Sequence, residues 1–392
     1  MPHSELFRPR GGEAGGRVAF VELFFDLVFV LTIIQLSHTV VTHYTWLGVI
    51  ESLLLVLAVW WVWIYTTWVT NWLDPNAMAV RALLFVMMFC GLVMAIAIPS
   101  AFAHRALAFA GAYVVMQVGQ SIFTLVAVRG HHLGNYRNAV RITVWLVASG
   151  ALWVGGAFAG EKLQLTLWLL ALGIDYLAPL AGFWTPGLGR FTHADWDVRG
   201  AHMAERCALF VIVCLGEQVL VIGRQANGLE FDGAVAAAFA VTFGLTVALW
   251  WIYFRFGHGR AAQWIDEASS TDSEVKIAFT YAHIPLVIGM IFTAVASDFI
   301  ITHPREVSDS ASAAAILGGP ATYLLGNIWF KSLAAGRWPL SHLGGLVGLA
   351  LLTAGLGRLT HLGLGTSVLG VLMIVALWEY GSLRTLRLRK RT

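Results

Sequence analysis

Hydrophobic positions in this chain form long unbroken runs, separated by short polar segments. From Val18 almost to the end of the sequence, apolar runs of about 18 residues or more recur, which is the length that an α-helix needs to cross the hydrocarbon core of a bilayer. The pattern predicts an all-α polytopic membrane protein with about twelve transmembrane helices. The predicted spans lie near residues 18–36, 47–69, 78–100, 106–128, 140–158, 163–182, 202–223, 233–254, 276–297, 312–331, 340–357 and 362–382.

The composition agrees with lipid as the main solvent. Hydrophobic residues make up 58% of the 392 positions and charged residues 12%, the latter about half the share of a soluble domain. The basic residues are scattered and form no folded basic domain, so nucleic acid is not an expected partner. The three cysteines fall inside apolar runs without the spacing of a metal site. We therefore expect the lipid bilayer as a partner, and neither a metal nor a cofactor.

The loop charges give an independent test of the number of spans, because Lys and Arg accumulate on the cytoplasmic side of membrane proteins. With the N-terminus inside, nineteen of the 25 Lys and Arg residues fall in or beside predicted cytoplasmic segments, five fall outside and Arg206 lies within a span. A wrong number of spans would scramble this bias. The sequence therefore predicts an even number of spans, with both termini in the cytoplasm.

The two halves of the chain resemble each other. The segment 22–35 of the first span matches 205–218 of the seventh, and Trp60-Trp61 matches Trp250-Trp251 in the next span of each half. Matches in the same order predict two parallel six-helix repeats, a design found in transporters. The predicted organisation is a cytoplasmic leader (1–17), a first repeat (18–182), a cytoplasmic linker (183–201), a second repeat (202–382) and a basic cytoplasmic tail (383–392).

Ionisable residues inside the predicted spans are the candidate functional residues, because each must be paired, protonated or in contact with water. Glu22 and Asp26 lie four residues apart and share one face of the first helix. Arg206 needs carboxylate partners, and these two are the best candidates by depth. The candidate residues of the substrate or ion pathway are Glu22, Asp26, Asp175, His202, Glu205, Arg206, Glu217, His283 and Glu379.

Three interpretations of these charges remain open at this stage. The pair of Arg206 with Glu22 or Asp26 is a structural lock, or the cluster binds a solute or protons, or the charges lie near the lipid headgroups. Glu217 differs from the others, since it lies about 16 Å along the helix from Arg206 on the same face.

Two motifs carry a resemblance to a known family. The segment Glu22-Leu23-Phe24-Phe25-Asp26-Leu27, together with His202-Met203-Ala204-Glu205-Arg206 and Leu215-Gly216-Glu217, resembles the signature of the bacterial low temperature requirement A family. The resemblance extends over most of the chain. It implies a multi-pass protein of the bacterial cytoplasmic (inner) membrane, and it brings no substrate, reaction or cofactor with it.

The duplication and the buried carboxylates favour a secondary carrier for an unidentified small solute, with protons as a candidate coupling ion and the repeat interface as the pathway. An intramembrane enzyme acting on a lipid is the main alternative, in which His202 or His283 and a carboxylate would act as acid and base. A membrane sensor or stability factor that transports nothing is a third. The sequence determines neither the solute nor the oligomeric state.

Overall fold

The protein is described from a computed structural model, which covers residues 6–8, 18–129, 133–191, 199–227, 229–255 and 276–389. Most of the predicted leader and part of the predicted linker lie outside the described residues. The regular structure of the described residues is helical, without a strand. The helices are α1 (Phe20–Thr42), α2 (Trp46–Trp72), α3 (Met78–Ala97), α4 (Ala106–Val128), α5 (Leu133–Ala157), α6 (Glu161–Leu180), α7 (Gly200–Asn227), α8 (Gly233–Phe254), α9 (Ile277–Thr302), α10 (Ser310–Ala335), α11 (Leu340–Leu352) and α12 (His361–Arg389).

Ten helices of the described residues are long and apolar enough to cross a membrane, namely α1 to α9 and α12. They bear out the prediction of an all-helical, multi-pass membrane protein. The helix α10 has Gly and Pro in its interior, and α11 is a shorter apolar helix. The predicted number of twelve spans and the two repeats therefore stay predictions.

The chain divides into two compact units, Met1–Arg206 and Cys207–Thr392. In the first unit α1 packs against α3, and α5 packs against both α4 and α6. The helix α4 contains a π-helical turn at Val115–Gly119, a feature often found at functional sites. In the second unit α9 and α10 form the most extensive helix pair, and α12 packs against α8 and α11.

Glycines allow α9 and α10 to approach each other at backbone distance. A Cβ atom added at Gly289 would lie 2.4 Å from the backbone nitrogen of Tyr323, and one added at Gly319 would lie 2.7 Å from that of Thr293. The hydrophobic effect does not drive helices together in lipid, so their association depends on van der Waals packing. Small residues at the crossing allow the two backbones to come into direct contact. The second unit therefore depends on these glycines for its tightest contact.

We predict that Gly319→Ala destabilises the protein, whereas Gly318→Ala does not. The first substitution forces a methyl group into the backbone of α9, which costs about 1–3 kcal/mol of unfolding free energy. The second is its matched control, since nothing lies within 4 Å of a Cβ at Gly318 and alanine is the better helix former. Chemical unfolding in mild detergent, followed by tryptophan fluorescence, measures both. Equal stabilities of the two variants would contradict the close contact.

Candidate functional site

The first turns of α1 carry two buried carboxylates. Glu22 is the third residue of the helix, and its side chain accepts a hydrogen bond from the backbone N–H of Ala19 at 2.9 Å. This capping contact places a negative charge at the positive end of the helix dipole. Asp26 follows one turn later on the same face. Glu22 is fully buried and Asp26 is 3% exposed, so both charges need partners inside the protein.

Glu22 is held by a guanidinium and an imidazole from distant parts of the chain. Its Oε2 atom accepts from Nη2 of Arg8 at 2.6 Å, and its Oε1 atom lies 3.0 Å from Nε2 of His202. Arg8 also donates through Nε to the carbonyl oxygen of Thr70 on α2. The Glu22 carboxylate thus contacts both the segment before α1 and the start of α7.

The backbone of Arg199 determines the tautomer of His202. The Arg199 N–H donates to Oδ1 of Asn71 at 3.0 Å, and Nδ2 of Asn71 donates to the Arg199 carbonyl at 2.9 Å, which fixes the orientation of the amide. The same Nδ2 atom lies 3.2 Å from Nδ1 of His202, so Nδ1 is the acceptor. The ring is therefore neutral, and its Nε2–H donates to Glu22.

Asp26 forms a bidentate pair with Arg206. The Nη1 and Nη2 atoms of Arg206 donate to Oδ2 and Oδ1 of Asp26 at 2.7 and 2.9 Å, the geometry of the strongest carboxylate contacts. Nη1 also donates to the carbonyl oxygen of Glu22 at 3.0 Å. Trp63 on α2 donates its indole N–H to Oδ1 of Asp26 at 2.8 Å, and its ring lies 5.4 Å from the guanidinium carbon. The predicted ion pair between α1 and α7 is confirmed.

The cluster is balanced in charge, with two carboxylates against two guanidinium groups and a neutral imidazole. Arg206 is 1% exposed, and among the described residues its Nε has no hydrogen-bond partner. Taking the two charges of a pair out of water is expensive, and a buried pair gives little stability compared with packed apolar side chains. Glu205, also predicted for this cluster, lies at its edge, where its Oε2 accepts from the Val18 N–H at 3.3 Å.

Asp175 on α6 lies apart from this cluster, in the same unit. Its Oδ2 atom accepts from the hydroxyl of Tyr113 at 2.7 Å and lies 3.3 Å from the indole nitrogen of Trp153. Within the described part of the chain no cation is paired with it. The sequence predicted this residue for the pathway, and the structure assigns it a separate, aromatic environment.

The second unit holds the remaining candidates. His283 is buried, with Nδ1 donating to the Ala278 carbonyl at 2.9 Å and Nε2 lying 3.0 Å from the Tyr253 hydroxyl. Glu379 accepts from Nζ of Lys331 at 2.7 Å. Glu217 is buried on α7. Nothing tests a role of these three residues in a pathway, which stays a prediction.

A buried lysine was missed by the sequence analysis. Lys331 is 2% exposed and its ammonium group contacts three acceptors, Glu379, the Ile252 carbonyl and Nε2 of His342, at 2.7 to 3.1 Å. Arg206 is therefore not the only basic residue that is buried within a helix. The predicted span ends at residue 331, but the helix α10 continues to Ala335.

Arg8, Asn71 and Trp63 were also missed as site residues. Arg8 lies in the predicted leader, and no pattern in its surroundings predicts that it is buried against Glu22. Asn71 and Trp63 did carry a signal, since each has a polar side-chain atom on a largely apolar helix. Such an atom needs a hydrogen-bond partner when it is buried.

An exposed ion pair at the start of α8 provides a contrast with the buried cluster. Asp232 accepts from the backbone N–H groups of Val235 and Ala234 and pairs with Arg305 at 2.5 Å. These helix-capping bonds, followed by the guanidinium, hold the pKa of Asp232 below its usual range. Both partners are in contact with solvent, so this pair is a suitable control for the buried one.

These features define the class of protein as a polytopic helical membrane protein with a charge-balanced cluster inside its helices. Residues 17–377 match the family model described as bacterial low temperature requirement A protein (LtrA). The chain belongs to this family, as its two motifs predicted. It is 41% identical over 376 residues to uncharacterized protein RA0937 of Rhizobium meliloti (strain 1021), and the match covers 95% of this chain and 91% of the relative. No solved structure matches the chain.

We predict that Arg206→Gln lowers the free energy of unfolding by about 3–5 kcal/mol, because it leaves the buried charge of Asp26 uncompensated. The double variant Asp26→Asn/Arg206→Gln removes both charges and is expected to lose less than Arg206→Gln alone. Chemical unfolding in mild detergent measures the three proteins. Arg305→Gln is the control and changes the stability by about 1 kcal/mol or less, since its pair is exposed. A double variant less stable than Arg206→Gln would contradict the coupling of the two side chains.

Proposed function

We propose that the chain is a proton-coupled secondary carrier for a small solute in the cytoplasmic membrane of a bacterium. In this proposal it has twelve spans in two parallel six-helix repeats, with both termini in the cytoplasm. The cluster of Arg8, Glu22, Asp26, His202 and Arg206 forms the cytoplasmic gate. The family places no constraint on the solute, so the proposal rests on the chemistry of the cluster.

The buried Asp26–Arg206 pair is the observation that carries the proposal. Ionisable residues inside membrane helices are costly, and they typically mark the pathways of ions and solutes. The pair joins α1 to α7 and gives less stability than apolar side chains of the same size would give. A contact that is expensive to keep and can be broken by neutralising one partner is suited to a gate.

Proton binding and solute binding are linked through Arg206 in this mechanism. A proton on Asp26 removes its charge and weakens the bidentate contact. The guanidinium then needs another acceptor, which an anionic or polar group of the solute can supply, and its Nε atom has no hydrogen-bond partner among the described residues. Because both ligands act on one ion pair, each changes the affinity for the other by the same factor.

The histidines give no comparable support to the enzyme hypothesis. A general base needs a ring nitrogen within hydrogen-bond reach of its substrate. In His202 one nitrogen contacts Asn71 and the other Glu22, and in His283 the two nitrogens contact Ala278 and Tyr253. Both rings are buried. The contacts favour structural and gating roles for these side chains.

Single cysteines test the proposed topology. After replacement of Cys90, Cys207 and Cys214 by Ser, a membrane-impermeant thiol reagent added to intact cells should label cysteines introduced at Thr42 and Ser310 but not one at Arg129. All three positions are exposed at the ends of helices, so access depends on the side of the membrane. Labelling of the Arg129 position in intact cells would overturn the twelve-span arrangement.

Reconstitution into liposomes with an internal pH-sensitive dye tests the carrier. We predict that one class among amino acids, sugars, organic acids and organic amines drives proton movement, and that Arg206→Gln abolishes it. Asp26→Asn can neither bind nor release a proton, so it should retain solute movement without proton movement.

The control for this experiment is Arg305→Gln, which alters an exposed pair and should transport as the unchanged protein does. Equal proton movement with Asp26→Asn and with the unchanged protein would exclude Asp26 as the coupling group. Turnover of the liposome lipid without any solute flux would favour the enzyme instead.

A further inference from the structure

Asp175 is a buried carboxyl group in which one oxygen accepts hydrogen bonds and the other has no hydrogen-bond partner. Tyr113 and Trp153 both contact Oδ2, whereas Oδ1 is buried and has no hydrogen-bond partner. The side chain is 2% exposed. The hydroxyl of Ser149 lies near the carboxyl group, but it donates to the Ala171 carbonyl. An ionised carboxylate in this position has no counter-charge among the described residues, which favours the binding of a positive charge at Oδ1.

The aromatic rings around Asp175 pack closely against one another. The ring centroids of Tyr113 and Trp153 are 4.5 Å apart, those of Trp153 and Trp168 are 5.0 Å apart, and those of Phe109 and Trp168 are 5.5 Å apart. These are packing distances between rings in contact, unlike the open cage that holds an organic cation. A proton is the ligand that needs no cavity.

Polar side chains along α4 give a proton a route to Asp175. Gln117, Ser121 and Thr124 follow Tyr113 at spacings of three or four residues, and they share one face of the helix. Gln120 donates to Gln117 at 3.3 Å. Together the five residues extend over about 16 Å of the helix.

Two atoms of this row have unused hydrogen-bonding capacity. Nε2 of Gln117 and Oε1 of Gln120 are buried without a partner among the described residues. The π-helical turn at Val115–Gly119 contains Gln117, and such turns are frequent at functional sites. The amide groups do not take up or release the proton themselves, but their unused donor and acceptor can hydrogen-bond a water molecule that carries it.

We propose that Asp175 is a proton-binding site, loaded on Oδ1 through the polar row of α4 from Thr124 to Tyr113. A hydronium ion transfers its proton to the carboxylate, which forms an O–H bond on Oδ1 and leaves a water molecule. Release reverses the step. The site deepens the proposed function, since it adds a second proton-binding group to Asp26 and assigns protons as the coupling ion.

Few other ionisable groups surround this carboxyl. Tyr113 faces it from α4, and Tyr176 follows it on α6 with its hydroxyl bonded to the Leu57 carbonyl of α2. The groups that α5 directs to it, Ser149 and Trp153, are uncharged at ordinary pH. A pH-dependent signal from this region of the described chain therefore belongs to Asp175.

Infrared difference spectroscopy of the full chain in liposomes tests the site without any solute. The protonated carboxyl group has a carbonyl stretch above the amide bands, which shifts in heavy water. We expect this band to grow as the pH falls and to be lost in Asp175→Asn. Tyr113→Phe removes a donor to the ionised form, so the band should appear at a higher pH than in the unchanged protein.

Asp232→Asn is the matched control, because it removes an exposed carboxylate and keeps a good helix-capping residue. It should leave the band unchanged. A band that persists in full in Asp175→Asn, or a titration that Tyr113→Phe does not move, would overturn the proposal. If Asp175→Asn does not fold, the titration of Tyr113→Phe decides by itself.

The outcome also separates this site from the carrier proposal. A band that belongs to Asp175, found together with no solute flux, would leave the proton site in place and remove the carrier. Flux that depends on Arg206 but occurs without such a band would do the reverse.

Discussion

An ionised side chain inside a membrane protein must find a partner, and the first unit is organised around this constraint. Glu22 and Asp26 lie on the first turns of a helix that contains no other Asp or Glu and no Lys or Arg. Their carboxylates contact Arg8, which precedes the helix, and His202 and Arg206 at the start of α7. Segments nearly 200 residues apart in sequence are thereby held at one place.

The pairing of charges alone does not determine the charge state of the cluster. Hydrogen bonds from uncharged groups are needed as well. His202 stays neutral because Nδ2 of Asn71, whose amide is oriented by the backbone of Arg199, donates to Nδ1 of the ring. A neutral imidazole can lie 3.0 Å from the guanidinium of Arg8, where a charged ring would be repelled. The amide of Asn71 therefore determines the net charge of the whole cluster, although it carries no charge itself.

Much of the fold could be predicted from the sequence, because long apolar runs determine where helices form in lipid. The helix ends were harder to predict. The helix α5 was expected from residue 140 but begins at Leu133, since its polar first turns are stabilised by contacts that a hydropathy pattern does not contain. Arg141 donates to Asn138 and to the carbonyl of Leu188. Those contacts depend on a loop far away in the sequence.

The site could be predicted only in part, for a similar reason. Spacing and depth pointed to Glu22, Asp26 and Arg206, because buried charges of opposite sign at equal depth must pair. Arg8 and Lys331 escaped the same reasoning, since Arg8 lies in the polar leader and Lys331 at the end of an apolar run, where a solvated position is the simplest assumption. Only the three-dimensional contacts distinguish a charge that ends a helix from one that is buried by it.

The glycines between α9 and α10 have a mechanical consequence. Where one backbone fits into a notch of the other, as at Gly289 and Gly319, the two helices cannot slide along each other by a fraction of a turn without collision. Interfaces of this kind change by discrete steps or not at all. We therefore expect α9 and α10 to move together as one unit, with any conformational change in the second unit taking place in the helices around them.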